Sequence, residues 1–135
     1  MAVFVLKDAS LTVNAVSLST YVQSITLDFA VDAISVDAMG NNGHLFIGGL
    51  QNNSVSVTLN QDFAASQVAA TLDALVGSTT TVIIKATSAA TSATNPSYTI
   101  TNAFLAATQP VNGAVGDLAQ MSVTFTGGTI VKATS

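Results

Sequence analysis

The sequence predicts a mainly β fold, an antiparallel β-sandwich or barrel of about seven strands with one flanking α-helix at about residues 62–77. Three observations support this prediction. Several short segments alternate apolar and polar side chains, a single segment has helical spacing, and Gly, Pro and Asn separate these segments. Because the chain has 135 residues, we expect one domain over residues 1–135, with a long loop or hairpin arm at about 32–50.

The strand pattern recurs along most of the chain. In the segment 25–31, alternation predicts that Phe29 and Val31 are the last inward-facing side chains. In the segment 97–106, it predicts that Phe104 lies on the same face as Tyr98, with Asn102 as an exception. The segment 2–7 is predicted to be either a strand or a docked terminal arm. Strands are predicted at 2–7, 25–31, 53–59, 79–85, 97–106, 121–126 and 127–133.

One segment, DFAASQVAATLDALVG (62–77), breaks the β pattern. Asp62 is suited to the N-cap, because its carboxylate can accept hydrogen bonds from the amides of the first turn. Gly77 is suited to the left-handed position just after the last turn. The helix is therefore predicted to cover the sheet with one face, formed by Ala64, Val68, Leu72, Leu75 and Val76.

The composition predicts a surface that other molecules cover. Charged residues make up only 7% of the chain, against about 25% in typical soluble domains. Monomers usually keep a charged surface to resist association, so we interpret the chain as an assembly subunit. An extracellular domain rich in Thr and Ser is the alternative. With three lysines, no arginine and a net charge of −4, tight binding to nucleic acid is not expected.

The chain has no cysteine, which excludes disulfides and thiolate metal sites. Its first ten residues, MAVFVLKDAS, lack a basic region followed by a long apolar core, so no signal peptide is predicted. No apolar run reaches membrane-spanning length, and no membrane partner is expected. We expect synthesis in the cytoplasm, followed by retention there or release within a particle.

No catalytic, metal-binding or cofactor-binding residue is predicted. His44, the one histidine, has no second histidine or cysteine to complete a zinc site, and its neighbour Asp37 is a weak signal alone. A solvated or interface position is favoured for it. The spacing of Asp28, Asp32 and Asp37 does not match a calcium loop. GNNG (40–43) precedes no predicted helix, so it lacks the helix N-terminus that binds the anion in a phosphate loop.

The stretch between the predicted strands at 25–31 and 53–59 is the sharpest functional signal. Loops of about twenty residues are uncommon in compact domains and are usually functional. This one carries apolar side chains that should be buried, either within the fold or against a neighbouring subunit, and both readings remain open. The candidate interface residues are Met39, Gly40, Asn41, Asn42, Gly43, His44, Leu45, Phe46 and Ile47.

The order of features resembles a known family. A Gly-containing loop leads into GLQNNSVSVTLNQDFAA (49–65), then the helix, a strand, NPSY (95–98), another strand and GAVGDLAQMSVTFTG (113–127). This order, over roughly residues 20–131, resembles the major tail protein (tail tube protein) family of long-tailed bacteriophages. The resemblance rests on ordering more than on a diagnostic motif.

The resemblance implies a structural virion protein of the phage tail, made in the host cytoplasm. Its copies would assemble into hexameric rings that stack into a tube, and DNA would pass through as an unbound passenger. The partners would be other copies and other tail proteins, with the region Asp37–Leu50 reaching an adjacent subunit. A capsid decoration or head–tail joining protein is the first alternative. A carbohydrate- or receptor-binding sandwich is the second, and an enzyme the third.

Overall fold

The computed structural model describes residues 7–63 and 68–134. Within these ranges the chain is built mainly of β-strands. The predicted strand at 2–7 lies outside the described residues except for Lys7. The strands are β1 (Ser10–Val13), β2 (Val16–Ser17), β3 (Val22–Asp28), β4 (Val31–Ser35), β5 (Phe46–Gln51), β6 (Ser54–Asn60), β7 (Thr79–Lys85), β8 (Ser97–Thr108), β9 (Gln120–Thr126) and β10 (Thr129–Ala133).

The main sheet has the strand order β2–β1–β7–β8–β9–β6–β3, with β10 also paired to β8. Every strand pair is antiparallel. The described strands do not close into a barrel, because β2 and β3 stand at the two ends of the order without pairing. The sheet encloses one apolar core in a sandwich-like arrangement, which confirms the predicted fold class. Strands β4 and β5 form a separate two-stranded sheet.

The centre of the core lies between β6 and β9, where the alternation predicted from the sequence is confirmed. Val55 pairs with Phe125, and Leu59 pairs with Met121. All four of these side chains are buried, while Ser56 between them points outward and is exposed. Directly opposed apolar pairs on one face of a sheet are the units that stabilise it, and they fix the register of these two strands.

A corner interrupts the long strand β8. Its first part pairs with β10 and its last part with β9. Between these parts Asn102 has φ +63°, a left-handed conformation that asparagine tolerates better than most residues. The break shifts the alternation, so that Ile100, Ala103 and Leu105 are buried and Phe104 is 41% exposed. The prediction that Phe104 shares a face with Tyr98 and Ile100 is therefore wrong.

The partner ribbon bends opposite this corner at Gly127 and Gly128, which have φ +76° and +84°. A Cβ on Gly128 would lie 2.5 Å from the carbonyl oxygen of Thr101. Only glycine fits there without displacing the backbone of β8. Glycine at this position therefore allows β9 to continue into β10 along the same side of β8.

The predicted helix ends earlier than expected. The described part, α1, runs over Val68–Leu72, and a single 3₁₀ turn follows at Asp73–Leu75. Val76 is extended and exposed, so its assignment to the buried face is wrong. Residues 64–67, which include Ala64 and the predicted first turn, lie outside the described residues. No helix in the described ranges is long and apolar enough to cross a membrane.

Four described residues in and around α1 bear on the prediction. Val68 and Leu72 are fully buried against the core. Gly77 has φ +82° and donates its amide to Leu105 O at 2.9 Å, which confirms the left-handed stop. Asp62, the predicted N-cap, accepts a hydrogen bond from Tyr21 Oη at 2.8 Å.

Candidate functional site

The stretch predicted as a long loop or hairpin arm is a β-hairpin. Strands β4 and β5 pair through Ile34 with Ile47 and through Ser35 with Phe46, and residues 36–45 connect them. Within the described chain, β4 and β5 pair only with each other. We call residues 29–52, the hairpin with its flanking residues, the arm.

The arm leaves its apolar side chains uncovered. Every residue from 28 to 48 is exposed, so neither face of the hairpin is buried by the described chain. Phe29 and Val31, predicted to face the core, are 52% and 47% exposed because β3 ends at Asp28. The other exposed large apolar residues of the arm are Ile34, Val36, Met39, Leu45, Phe46, Ile47 and Leu50.

The uncovered arm has features that interaction sites often share. A two-stranded hairpin is marginally stable in water by itself, and additional packing is what usually stabilises it. Contiguous exposed apolar surface on a soluble domain usually marks an interaction site. The outer edges of the hairpin pair with no other described strand, and few charged side chains are present to oppose pairing with a strand of another molecule.

The tip of the arm is closed by hydrogen bonds to Asp37. His44 Nδ1 lies 2.7 Å from Asp37 Oδ2, and the amide of Leu45 donates to Asp37 Oδ1 at 2.5 Å. The bond from His44, and after it the bond from Leu45, lowers the pKa of Asp37 below its ordinary value. The carboxylate thus bridges the two sides of the turn. His44 also packs its ring against Phe46, with centroids 6.4 Å apart.

The chemistry at the tip does not form a catalytic triad. Among the described residues, the side-chain hydrogen bond of His44 is to Asp37 and not to a serine, whereas a Ser-His-Asp triad needs the hydroxyl on the imidazole. The His44 side chain is 83% exposed, so water is not excluded from the pair. In the two described ranges, no group of three His or Asp side chains could hold a metal ion. The His44–Asp37 pair is therefore best explained as a structural link within the turn.

The structure places the nine predicted interface residues together at the tip of the arm and the start of β5. Met39 is fully exposed, and Gly40 has φ +95°, as expected for a turn residue. Asn41, Asn42 and Gly43 continue the exposed turn to His44 and Leu45. Phe46 and Ile47 begin β5 and are 60% and 55% exposed. Their role in an interface remains a prediction.

A network of hydrogen bonds around Asn53 fixes the root of the arm. The buried side chain of Asn53 accepts from the amide of Ala30 at 3.2 Å and donates to Gly128 O at 3.1 Å and to Gln51 Oε1 at 2.9 Å. Gln51 Oε1 also accepts from the amide of Ile130 at 2.9 Å. The arm is thereby tied to the corner between β9 and β10.

Sequence reasoning missed this network. The pair Asn52–Asn53 reads as turn residues between two strands. Which polar side chain becomes buried depends on Gly127 and Gly128, which are distant in sequence. The one available signal was the Gly-Gly pair itself, which marked a turn without indicating what it contacts.

A second exposed apolar surface lies at the opposite end of β6. That strand begins at Ser54 beside the arm and ends at Asn60, and Phe63 follows. We define the distal surface as Phe63 together with the loop of residues 109–119. Its exposed apolar residues are Phe63, Val111, Val115 and Leu118, and the loop also contains Asp117.

No family model and no curated protein sequence matches this chain. Solved structures do match. A chain in the sheath-tube complex of the PVC extracellular contractile injection system aligns with TM-score 0.70 and 12% identity, covering 98% of this chain and 93% of that one. A chain of the native gene transfer agent virion aligns with TM-score 0.66 and 11% identity, covering 97% and 99%.

A third match comes from the tail of the empty gene transfer agent particle, which was refined helically with C6 symmetry. It aligns with TM-score 0.58 and 11% identity, covering 85% of this chain and 83% of that chain. At such identities the matches show the fold. The chain has the fold of tail tube proteins and related injection-system proteins, so the predicted resemblance is confirmed at the level of fold.

Proposed function

We propose that this chain is a structural protein of a phage or phage-related particle, whose copies assemble into stacked rings that form the tail tube. The observation that carries the proposal is the arm. A hairpin with uncovered apolar side chains, fixed at its root by Asn53, is built to contact another molecule. The tail tube fold makes a second copy of this chain the natural partner.

One contact, repeated between successive copies of the chain, would set the symmetry of the assembly. When one surface of a chain contacts a different surface on the next copy, repetition gives a closed ring or an open filament. A ring of six copies is supported by the C6 symmetry of the structurally similar gene transfer agent tail. Stacking such rings would produce a tube, and other tail proteins would bind its ends.

The passenger of the tube would be DNA that does not bind to it. The chain has a net charge of −4 and three lysines, so its surface would repel phosphate more than retain it. Weak binding would favour passage, because a conduit that held its cargo would slow delivery. The chain would then be a structural component and not an enzyme, located in the tail of the virion.

Electron microscopy of the purified protein tests the proposal. Long hollow tubes with sixfold rings in cross-section are the expected result. Monomers that persist at high protein concentration would contradict it. Single closed rings that never stack would favour the head–tail joining alternative over the tail tube.

A further inference from the structure

An apolar groove lies on the open side of the sandwich, between β3 and the sheet formed by β7 and β8. Its volume is about 380 Å³, within the range of about 300–1,000 Å³ that protein pockets for small ligands occupy. Ile25, Leu27 and Phe29 of β3 and its continuation form one wall, and Ile84 and Tyr98 form the other. We call this cavity the β3 groove. It is large enough to receive apolar side chains.

The lysines of the chain lie in or near the β3 groove. Lys85 contributes to its lining, and Lys132 lies directly opposite Tyr98 in the pairing of β10 with β8. Lys7 lines a small neighbouring cavity together with Ala9 and Ile25, and both of these residues also line the groove. These three lysines are the chain's full set of lysine and arginine residues.

The nearby acidic residues are engaged in hydrogen bonds. Asp8 accepts hydrogen bonds from the hydroxyl and the amide of Ser88, at 2.9 and 3.4 Å. Asp28, at the end of β3, accepts one from Ser54 at 3.2 Å. These hydrogen bonds do not cancel the negative charges, and Lys85 Nζ itself donates to Ala89 O at 3.0 Å. The surroundings of the groove therefore hold three lysines against two aspartates.

The arm has the complementary character. Its charged residues are Asp32 and Asp37, and it contains no lysine or arginine. Its apolar side chains include Phe46 and Ile47, which are more than half exposed. An acidic, apolar hairpin thus matches an apolar groove near which lysines outnumber aspartates, whereas the distal surface carries Asp117 and no lysine.

From this match we infer that the β3 groove receives the arm of a second copy of the chain. The inference rests on the proposed function and names the acceptor of the arm. The contact is between two different surfaces, so each copy both gives an arm and receives one, which is the repeating contact that rings and filaments require. Lys85 would face the carboxylates of the incoming arm, while the apolar walls would contact its β5 side chains.

Cross-linking of engineered cysteines tests the acceptor, since the natural chain has no cysteine. One protein carries Ala38→Cys at the tip of the arm, and a second carries Ala86→Cys in the lining of the groove. The matched control carries Ala114→Cys in the cavity of the distal surface. Each pair is mixed, allowed to assemble, and treated with a short bismaleimide. Any heterodimer formed between singly substituted chains joins two copies.

The expected result is a heterodimer from the Ala38→Cys and Ala86→Cys pair, and little from the pair with Ala114→Cys. The reverse pattern, or tubes without a groove cross-link, would overturn the groove as acceptor and leave the tube proposal standing. If the unsubstituted protein forms neither tubes nor rings, the proposed function fails, and the inference fails with it.

A charge reversal provides a second readout. Lys85→Glu should raise the protein concentration at which assembly begins, because it places a like charge opposite the arm. Lys85→Gln should raise it less. Equal onset concentrations for Lys85→Glu and the unsubstituted protein would contradict the charge match. Circular dichroism of the dilute monomer reports whether each variant is folded.

Discussion

Strands β5 and β6 are neighbours in sequence, separated by Asn52 and Asn53, yet they have opposite surroundings. In β6 (SVSVTLN), alternate side chains are buried in the core, whereas in β5 (FIGGLQ) no side chain is buried. Both strands are apolar, so apolar content does not distinguish them. Strict alternation accompanies burial in β6, whereas the apolar run with glycines in β5 has no alternation and stays uncovered by the described chain.

The largest expected effect comes from matched leucines in these two strands. Leu59 of β6 is 1% exposed and Leu50 of β5 is 81% exposed. Leu59→Ala should lower the free energy of unfolding by about 2–5 kcal/mol, since it leaves a cavity. Leu50→Ala should change it by less than about 0.5 kcal/mol. Urea unfolding of the dilute monomer measures both, and equal losses would mean that the arm belongs to the core.

The next effect concerns the corner that joins these regions. Gly128→Ala and Gly127→Ala both force a side chain into positive φ, which costs about 1–3 kcal/mol. At Gly128 the new Cβ would also lie 2.5 Å from Thr101 O, while at Gly127 it meets no atom within 4 Å. Thermal unfolding should therefore show a greater loss for Gly128→Ala. A greater loss for Gly127→Ala would contradict the close approach at the corner.

Asn53 tests the root of the arm. Asn53→Ala removes the acceptor for the Ala30 amide and one donor to Gly128 O, and buried groups left unpaired cost about 1–3 kcal/mol. The exposed neighbour serves as the control, and Asn52→Ala should be nearly neutral. Hydrogen exchange should show faster exchange at the Ala30 amide in Asn53→Ala alone. Unchanged exchange there would show that Asn53 does not anchor the arm.

The smallest effect is the titration of the tip. Hydrogen bonds lower the pKa of Asp37 from its ordinary value of 3.8. The ionised carboxylate therefore stabilises the turn fully when the pH is above 3.8. This stabilisation is lost as the pH falls through the lowered pKa. The Leu45 amide resonance should report a midpoint below 3.8, and His44→Ala should raise that midpoint. A midpoint at or above 3.8 in the natural chain would contradict the link.

Much of the fold could be predicted from the sequence because alternation is a local signal. The predicted strand at 79–85 agrees with β7, and 121–126 agrees with β9 to within one residue. Strands β1 and β2 were missed because they are too short to show a period. The prediction of which β8 side chains share a face is wrong beyond Asn102. The positive φ of Asn102 shifts the alternation there, and the pattern of residue types in the sequence does not show that shift.

The location of the arm in the chain was easier to predict than the structure that it adopts. Glycines and apolar residues between two strands indicated a loop or hairpin whose apolar side chains are buried either within the fold or against a neighbouring subunit, and the structure has a hairpin there. The His44–Asp37 link depends on how the turn closes, and the β3 groove depends on strands distant in sequence. Neither feature has a local pattern, so neither could be derived before the fold was known.

The central claim is that the apolar side chains of the arm are needed for assembly and not for folding, and substitutions in the arm test it most directly. The double variant Phe46→Ser and Ile47→Ser removes two exposed apolar side chains of the arm, while Ala93→Ser and Thr94→Ser changes an exposed loop outside the arm as a control. Sedimentation velocity at concentrations where the natural chain assembles should show a folded monomer for the first and assembled species for the second. Normal assembly of the first variant would contradict the account, as would its unfolding.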